Sequence, residues 1–371
     1  MEERLQARKE PFVRIAKRGV ESAANKKRAW IIRAVAIVAA LVVNGFIIMA
    51  IVHLNPIEVY GSMFMGNFGT SSRVWITLRD MSLLLLVGVA LAPAFKMKFW
   101  NLGGEGQLLV GGVATAACML YLSDLPAPIL FPCMIVASIV AGAIWGVIPA
   151  IFKAKFNTNE VLFTLMMNYV AIQITAFFVA KWERPYGSNT VGIINAMGRQ
   201  GWMPSIPGAE PLVTVLIVLI VALSMYVYMK RSKQGYEIAV VGDSKNTAKY
   251  AGINVKSVIV RTMLISGAIC GLTGFLCVSA SSHTISTAIG DGRGFTAIIV
   301  AWLAKFNTIG MIAISFLLVF LDQGAVEIAT QFNLNEYVAQ MITGVILFFI
   351  LGCEFFIDYK VIFRGKAGKE D

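Results

Sequence analysis

Nine stretches of this chain are about 20 residues long and almost wholly apolar, and a segment of that length and character is stable only as a helix crossing a bilayer. They cover 34–54, 74–95, 99–122, 127–152, 161–180, 211–229, 257–280, 308–329 and 338–357. With 57% hydrophobic and 14% charged residues, a soluble globule is excluded, because too little polar surface exists to cover it. The expected fold class is therefore all-α and polytopic, with about ten transmembrane helices, one of them short or broken. That short piece is 294–304, which cannot cross alone at 1.5 Å rise per residue.

The net charge of +11 does not point to nucleic acid, because the charge follows the sides of the membrane. On this topology about 25 of the 32 lysines and arginines fall on one face, which the positive-inside rule makes cytoplasmic. Both termini are then expected inside, as a basic tail over 1–33 and a second tail over 358–371, flanking a transmembrane region over 34–357. The first tail is too long and polar for a cleavable signal peptide, and Phe12, Ile15 and Val20 suit it to lie on anionic lipid. An even number of crossings requires 281–293 to dip into the membrane ahead of the half-helix, and irregular backbone is tolerated at that depth only beside protein or a water-filled cavity. The five cysteines are scattered in apolar runs without metal-ligand or disulfide spacing. No Ser/His/Asp, Cys/His or metal constellation occurs in the sequence, so no catalytic residue, metal or cofactor is expected, and ATP hydrolysis is not assigned to this chain.

The polar residues inside the spans are few. Asn101, Glu105 and Gln107 open the third span, where an unpaired mid-helix carboxylate costs about 2.5–3.5 kcal/mol and less near an end. They either line a solute pathway or pin the helices around it; the bland alternative is a hydrated Glu105 with glycines serving close packing. Asn157 or Thr158 is expected to cap the fifth span, with Glu160 at the positive end of its dipole. Further in, Thr164 and Asn168 are four apart and share a face, which suits them to a polar solute or to an interhelical hydrogen bond. Phe295 and Thr296 follow the glycine-rich 290–294, and could stack on and hydrogen-bond a solute. Arg79 and Asp80 are adjacent, so no pairing is expected, and Arg79 is expected to snorkel outward. The pentapeptide AKFNT occurs at 154–158 and again at 304–308, consistent with two related halves.

One polar island, 230–257, interrupts the apolar sequence and is helical in composition from Asn246 to Gly252. Within it, YEIAVVGDSKNTAKYAGINV resembles the cytoplasmic coupling segment of ABC importer permeases of the branched-chain amino acid, ribose and nucleoside group, with Gly242, Asn246, Ala248, Gly252 and Ile253 in register. Three further blocks are similar to that group in the same order: NLGGEGQ from Asn101, TNEVLFTLMMNY from Thr158, and GFTAIIVAWLAKFNTIG from Gly294. The block from Thr158 resembles the nucleoside branch in particular. The block from Gly294 departs at Trp302 and at Thr308, where the group carries proline.

The resemblance implies a permease subunit that moves nucleosides by alternating access. It also implies a second permease chain, identical or paralogous, two cytosolic ATPase subunits gripping 230–257, and a lipoprotein that delivers substrate. Sugars or branched-chain amino acids are the alternative cargo. A secondary transporter driven by protons or sodium would want paired intramembrane carboxylates, and Glu105 and Asp322 are isolated in sequence.

Overall fold

A computed structural model describes residues 13–17 and 23–363. Much of the basic tail, including Phe12 and Val20, and residues 364–371 of the second tail lie outside the described residues. Among the described residues there are thirteen α-helices and two short strands, an all-α polytopic membrane protein. The elements are β1 (Val13–Lys17), α1 (Ala23–Ile47), α2 (Pro56–Phe68), α3 (Ser71–Lys96), α4 (Gly104–Tyr121), α5 (Ala127–Phe156), α6 (Glu160–Trp182), α7 (Leu212–Arg231), α8 (Lys233–Asp243), α9 (Lys245–Tyr250), α10 (Val255–Leu276), α11 (Arg293–Leu303), α12 (Thr308–Gln331), α13 (Glu336–Asp358) and β2 (Tyr359–Phe363). Helices α1 and α10 each run on into a short π-helical stretch, Ile48–Val52 and Cys277–Ser282. Among the described residues eight helices are long and apolar enough to cross a bilayer.

The chain divides into two compact units, one of Met1–Asn67 with Leu321–Asp371 and one of Phe68–Phe320. In the first, α1 lies along α13 and β1 pairs antiparallel with β2, Val13 opposite Phe363, so the two ends of the described chain meet on one side. Helix α2 was not expected from sequence; its thirteen residues reach only about 20 Å, so it passes for a loop when spans are sought. It packs through small residues, Gly66 on Glu327 and Gly324 on Met63.

The second unit is built on α4, α5 and α10, which approach at glycines. A Cβ on Gly142 would fall 2.7 Å from the Gly271 Cα, and one on Gly111 would fall 2.5 Å from the same atom, so no larger residue fits the seam. Helix α3 lies beside α7, α10 and α11 and is buried without a break from Ser82 to Phe95, as a helix apolar on all sides must be. At one end of this unit α8 and α9 sit on the last turn of α3. At the opposite end the segment 183–211 covers α4, α5 and α10: the Ile194 and Met203 amides donate to the carbonyls of His283 and Ser279, and the Ser279 hydroxyl donates to the Gly201 carbonyl at 2.6 Å.

Three local expectations are corrected. The third span starts at Gly104, not at 99, because the Asn101 side chain accepts from the Gly103 amide and holds 99–103 off the helix. Asn157 is the left-handed C-cap of α5; Asn159 caps α6 by accepting from Val161 and Leu162, while Glu160 pairs with Lys153 at 2.7 Å. Arg79 and Asp80 do pair, Nε to Oδ1 at 3.1 Å, because the long arginine side chain curls back on its neighbour.

Candidate functional site

The polar island folds into α8 and α9, two short helices with clear local signals. Ser232 caps α8 by accepting from Gly235, and Ser244 caps α9 by accepting from Thr247. Gly252 ends the pair at φ +75°, letting the Ile253 amide return to the Ala248 carbonyl at 2.9 Å. One face is apolar and buried: Ile238, Val241 and Ala248 pack with Met97 and Phe99 beyond α3, Ala150 of α5, and Val258 and Met263 of α10. At Gly242 the backbone lies directly against the Lys96 carbonyl, 3.3 Å from the Met97 Cα as measured from a built Cβ. Glu237 holds Arg261 of α10 at 2.8 Å. The other face is exposed and carries Asn246, Lys245, Lys249 and Tyr250, the last 94% accessible.

From Met97 the chain runs through 98–103 into a buried polar knot. The Asn101 amide donates to the Ser266 hydroxyl at 3.2 Å and accepts from Gln107 at 3.3 Å. The Leu102 amide donates to the Thr164 hydroxyl at 3.1 Å, and Asn168 closes the knot from α6: its Oδ1 accepts from Gly106 and its Nδ2 donates to the Leu102 carbonyl, both at 2.8 Å. A Cβ on Gly106 would lie 2.8 Å from that same Oδ1, so the glycine makes the bond possible. Asn101, Gln107, Thr164 and Asn168 are all buried and all bonded to protein. This arrangement ties α4, α6 and α10 to the segment 101–103 and leaves these four side chains little free hydrogen-bonding capacity.

Glu105 reaches the other way. Its Oε2 accepts from the Gly294 amide at 2.7 Å, at the first turn of α11. The glycines bring this about, since a Cβ on Gly290 would lie 2.6 Å from the Glu105 carboxyl carbon and one on Gly294 would lie 2.7 Å from its Cα. Residues 283–292 are thus a non-helical segment seated on α4, with Ile285 and Ile289 buried. Arg293 anchors it from the other side, 3.5 Å from Asp80 and 3.6 Å from Asp291. Asp80 is about 14 Å from one end of α3 and about 24 Å from the other, so the segment turns within the depth of the span. Of the residues singled out from sequence, Phe295 is exposed and Thr296 partly so, its hydroxyl donating to the Gly292 carbonyl at 3.2 Å.

The Asp80–Arg293 pair and the Ser266 partner were not legible in the sequence, since they join positions far apart in the chain. The same holds for an aromatic cluster where α3 and α11 end: Trp100 stacks on Trp302 at 5.2 Å and 19°, flanked by Phe95 and Phe306. At the opposite end of the unit a cavity of about 470 Å³ lies between Trp75, Arg79, Arg199, Trp202 and Glu210, with the Trp202 ring stacked on His283 at 3.8 Å.

The chain is 30% identical over 330 residues to the guanosine ABC transporter permease protein of Bacillus subtilis, covering 88% of this chain and 93% of that one. It is 29% identical to the nucleoside ABC transporter permease protein of Lactococcus lactis (88% and 92%), and 28% identical to the glucose ABC transporter permease protein of Haloferax volcanii (88% and 88%). Residues 74–351, which hold the knot, the half-helix and the two-helix handle, match the family described as branched-chain amino acid transport system / permease component, and the chain belongs to that family of permeases.

Proposed function

We propose that this chain is the permease subunit of an ATP-driven nucleoside importer of the bacterial plasma membrane, with both termini and the α8–α9 handle in the cytoplasm. The observation that carries the reading is the handle itself, amphipathic and polar outside, seated on the last turn of the central helix α3. Asn246, Tyr250 and the lysines offer a surface to cytosolic ATPase subunits, while Gly242, Ala248, Gly252 and Ile253 form the seat and the turn that transmit a push. Met97 and Phe99 belong to that seat and lead within a few residues to Asn101 and Glu105, so displacement of the handle is delivered to the knot and to α11. Asn101, Gln107, Thr164 and Asn168 hold the wall of the solute path, Glu105 sets the half-helix, and Phe295 and Thr296 face the solute. A second permease chain and a delivering lipoprotein complete the assembly.

Nucleosides are favoured because two of the three relatives described above, both matched over 88% of this chain, are named for guanosine or nucleosides. Glucose is the second reading, from the Haloferax relative matched over nearly the same length. Proteoliposomes holding this chain with its ATPase and lipoprotein partners are expected to accumulate labelled guanosine only with internal-side ATP, and to be inhibited by uridine or adenosine but not by glucose, ribose or leucine. Accumulation blocked by glucose and indifferent to nucleosides would reverse the assignment of cargo, and ATP-independent uptake by the chain alone would reverse the assignment of mechanism.

A further inference from the structure

Helix α11 has one uncovered side. Phe295 and Trp302 are seven residues apart and therefore share a face, about 10 Å from one another along the axis, with Ile299 between them. Both are 45% exposed, and the Trp100 ring stacked on Trp302 is 43% exposed. Hydrocarbon is not what this side meets. The Asp291 side chain, just before the same half-helix and 3.6 Å from the Arg293 guanidinium that reaches Asp80, itself about 14 Å from the nearer end of α3, is 70% exposed, and a carboxylate so placed is not tolerated against lipid tails. Next to it Gly292 exposes non-helical backbone, which at membrane depth occurs only where protein or water adjoins it.

An aqueous strip that runs from a carboxylate past one phenyl ring to a stacked indole pair is poorly suited to a small aliphatic solute. A planar heterocycle with a polar appendage fits it, because every base offers a π-face to an aromatic platform, whereas its sugar needs water or hydroxyls alongside. We infer that the uncovered side of α11 is a two-position stacking track for the base of the solute, Phe295 being the position nearer the membrane centre and the Trp302–Trp100 pair the position at the handle end. The inference rests on the nucleoside reading and deepens it by assigning specificity to Trp302. The neighbouring rings explain how the pair stays aligned: Phe95 and Phe306 meet Trp302 edge-on at 6.3 and 5.3 Å. Because Trp100 directly follows Phe99 of the handle's seat, a movement of the handle changes the platform on which the base rests.

The test uses the reconstituted transporter. Trp302→Phe, which keeps a π-face, is expected to take up guanosine within about twofold of wild type. Trp302→Leu is expected to lose about tenfold, equivalent to about 1.4 kcal/mol, with assembly and ATP hydrolysis retained. In a functional background lacking the five native cysteines, Ile299→Cys is expected to react with a water-soluble methanethiosulfonate, and guanosine but not ribose is expected to slow that reaction at least fivefold. Equal uptake by the leucine variant, equal loss in the phenylalanine variant, or labelling that guanosine leaves unchanged would overturn the track. An unreactive Ile299→Cys would also overturn it, placing a second permease chain on this face instead. Failure of wild type to take up guanosine at all would count against the nucleoside reading, and is separated from these outcomes by the wild-type control.

Discussion

Replacing Gly242 by alanine tests whether the handle acts through its seat. Within α8 the change is mildly favourable, since alanine exceeds glycine in a helix interior by up to about 1 kcal/mol. Against α3 it is unfavourable: the added methyl group would overlap the Lys96 carbonyl oxygen, 3.2 Å from the Lys96 carbonyl carbon and 3.3 Å from the Met97 Cα. All of these are backbone atoms of a buried helix end, so no rotamer change relieves the overlap. The handle must withdraw by about 1 Å, a gap that forfeits a quarter to a half of the dispersion energy between the surfaces it separates. Overpacking of this kind costs about 1–3 kcal/mol; against unyielding backbone the upper half of that range applies, so after the propensity gain about 1–2 kcal/mol remains against docking. The docked-to-undocked ratio then falls about fivefold to thirtyfold. Membrane insertion should be normal and ATP hydrolysis by the assembled complex should persist, while guanosine uptake in proteoliposomes drops at least fivefold and drops further for Gly242→Val or Gly242→Lys. Uptake by Gly242→Ala within twofold of wild type would refute the argument that close seating transmits the stroke.

Glu105→Ala removes the carboxylate that accepts from Gly294, a charge-assisted bond worth about 1.5–3 kcal/mol. It is expected to lower the melting temperature in detergent and cut uptake more than tenfold, whereas Glu105→Gln, which keeps an acceptor, should retain part of both. Asn168→Ala strands the Gly106 amide and the Leu102 carbonyl at about 1–3 kcal/mol each, and is expected to destabilise the knot more than Thr164→Val in thermal unfolding. Asp80→Asn leaves Arg293 with the exposed Asp291 as its acidic neighbour and removes the carboxylate that Arg79 also uses, so it is expected to destabilise the chain by less than a fully broken buried pair would, about 3–5 kcal/mol. The double variant Asp80→Asn/Arg293→Met should recover part of that stability, and the same thermal measurement decides it.

Most of the architecture was legible in the sequence because the bilayer demands uninterrupted apolar runs, and helix ends then follow from small polar residues and glycines. The half-helix was legible for the same reason turned around: eleven apolar residues after a glycine-rich stretch cannot cross, so 281–293 was expected to dip inward, and the non-helical part is 283–292. What periodicity could not supply was partnership across the chain. Asn168 and Thr164 were marked as polar on one face, yet only the fold puts Leu102 and Gly106 within reach of that face. Glu105 was marked as costly, and its compensation comes from a backbone amide 189 residues away. Helix α2 escaped because a thirteen-residue amphipathic element has no length signal in a chain dominated by spans. The start of α4 was placed five residues early because Phe99 and Trp100 read as membrane residues, although one belongs to the handle's seat and the other to the aromatic cluster.

Two kinds of contact hold the unit of Phe68–Phe320 together, and they differ in how they answer a push. Along the seam of α4, α5 and α10, backbone meets backbone: a Cβ on Gly271 would sit 3.0 Å from the Ser138 carbonyl carbon and 3.1 Å from the Gly142 Cα, and one on Gly274 would sit 3.0 Å from the Gly111 carbonyl carbon. Such a seam has no soft side chains between its helices, so sliding it by a fraction of an ångström sacrifices dispersion along its whole length. Helix α11 packs its buried Ala297 and Val300 on α3 at Gly88, and its ends are attached differently, by one carboxylate at Gly294, one ion pair at Arg293 and an aromatic cluster at its far end. Hydrogen bonds and ion pairs can be exchanged for equivalent ones with water or neighbouring groups, and stacked rings can slide at little cost, so these attachments are switchable where the seam is not. If the handle works as proposed, a displacement delivered at Met97 and Phe99 meets a stiff backbone seam on one side and, on the other, a half-helix whose two ends are held by exchangeable contacts, so α11 is the element expected to respond.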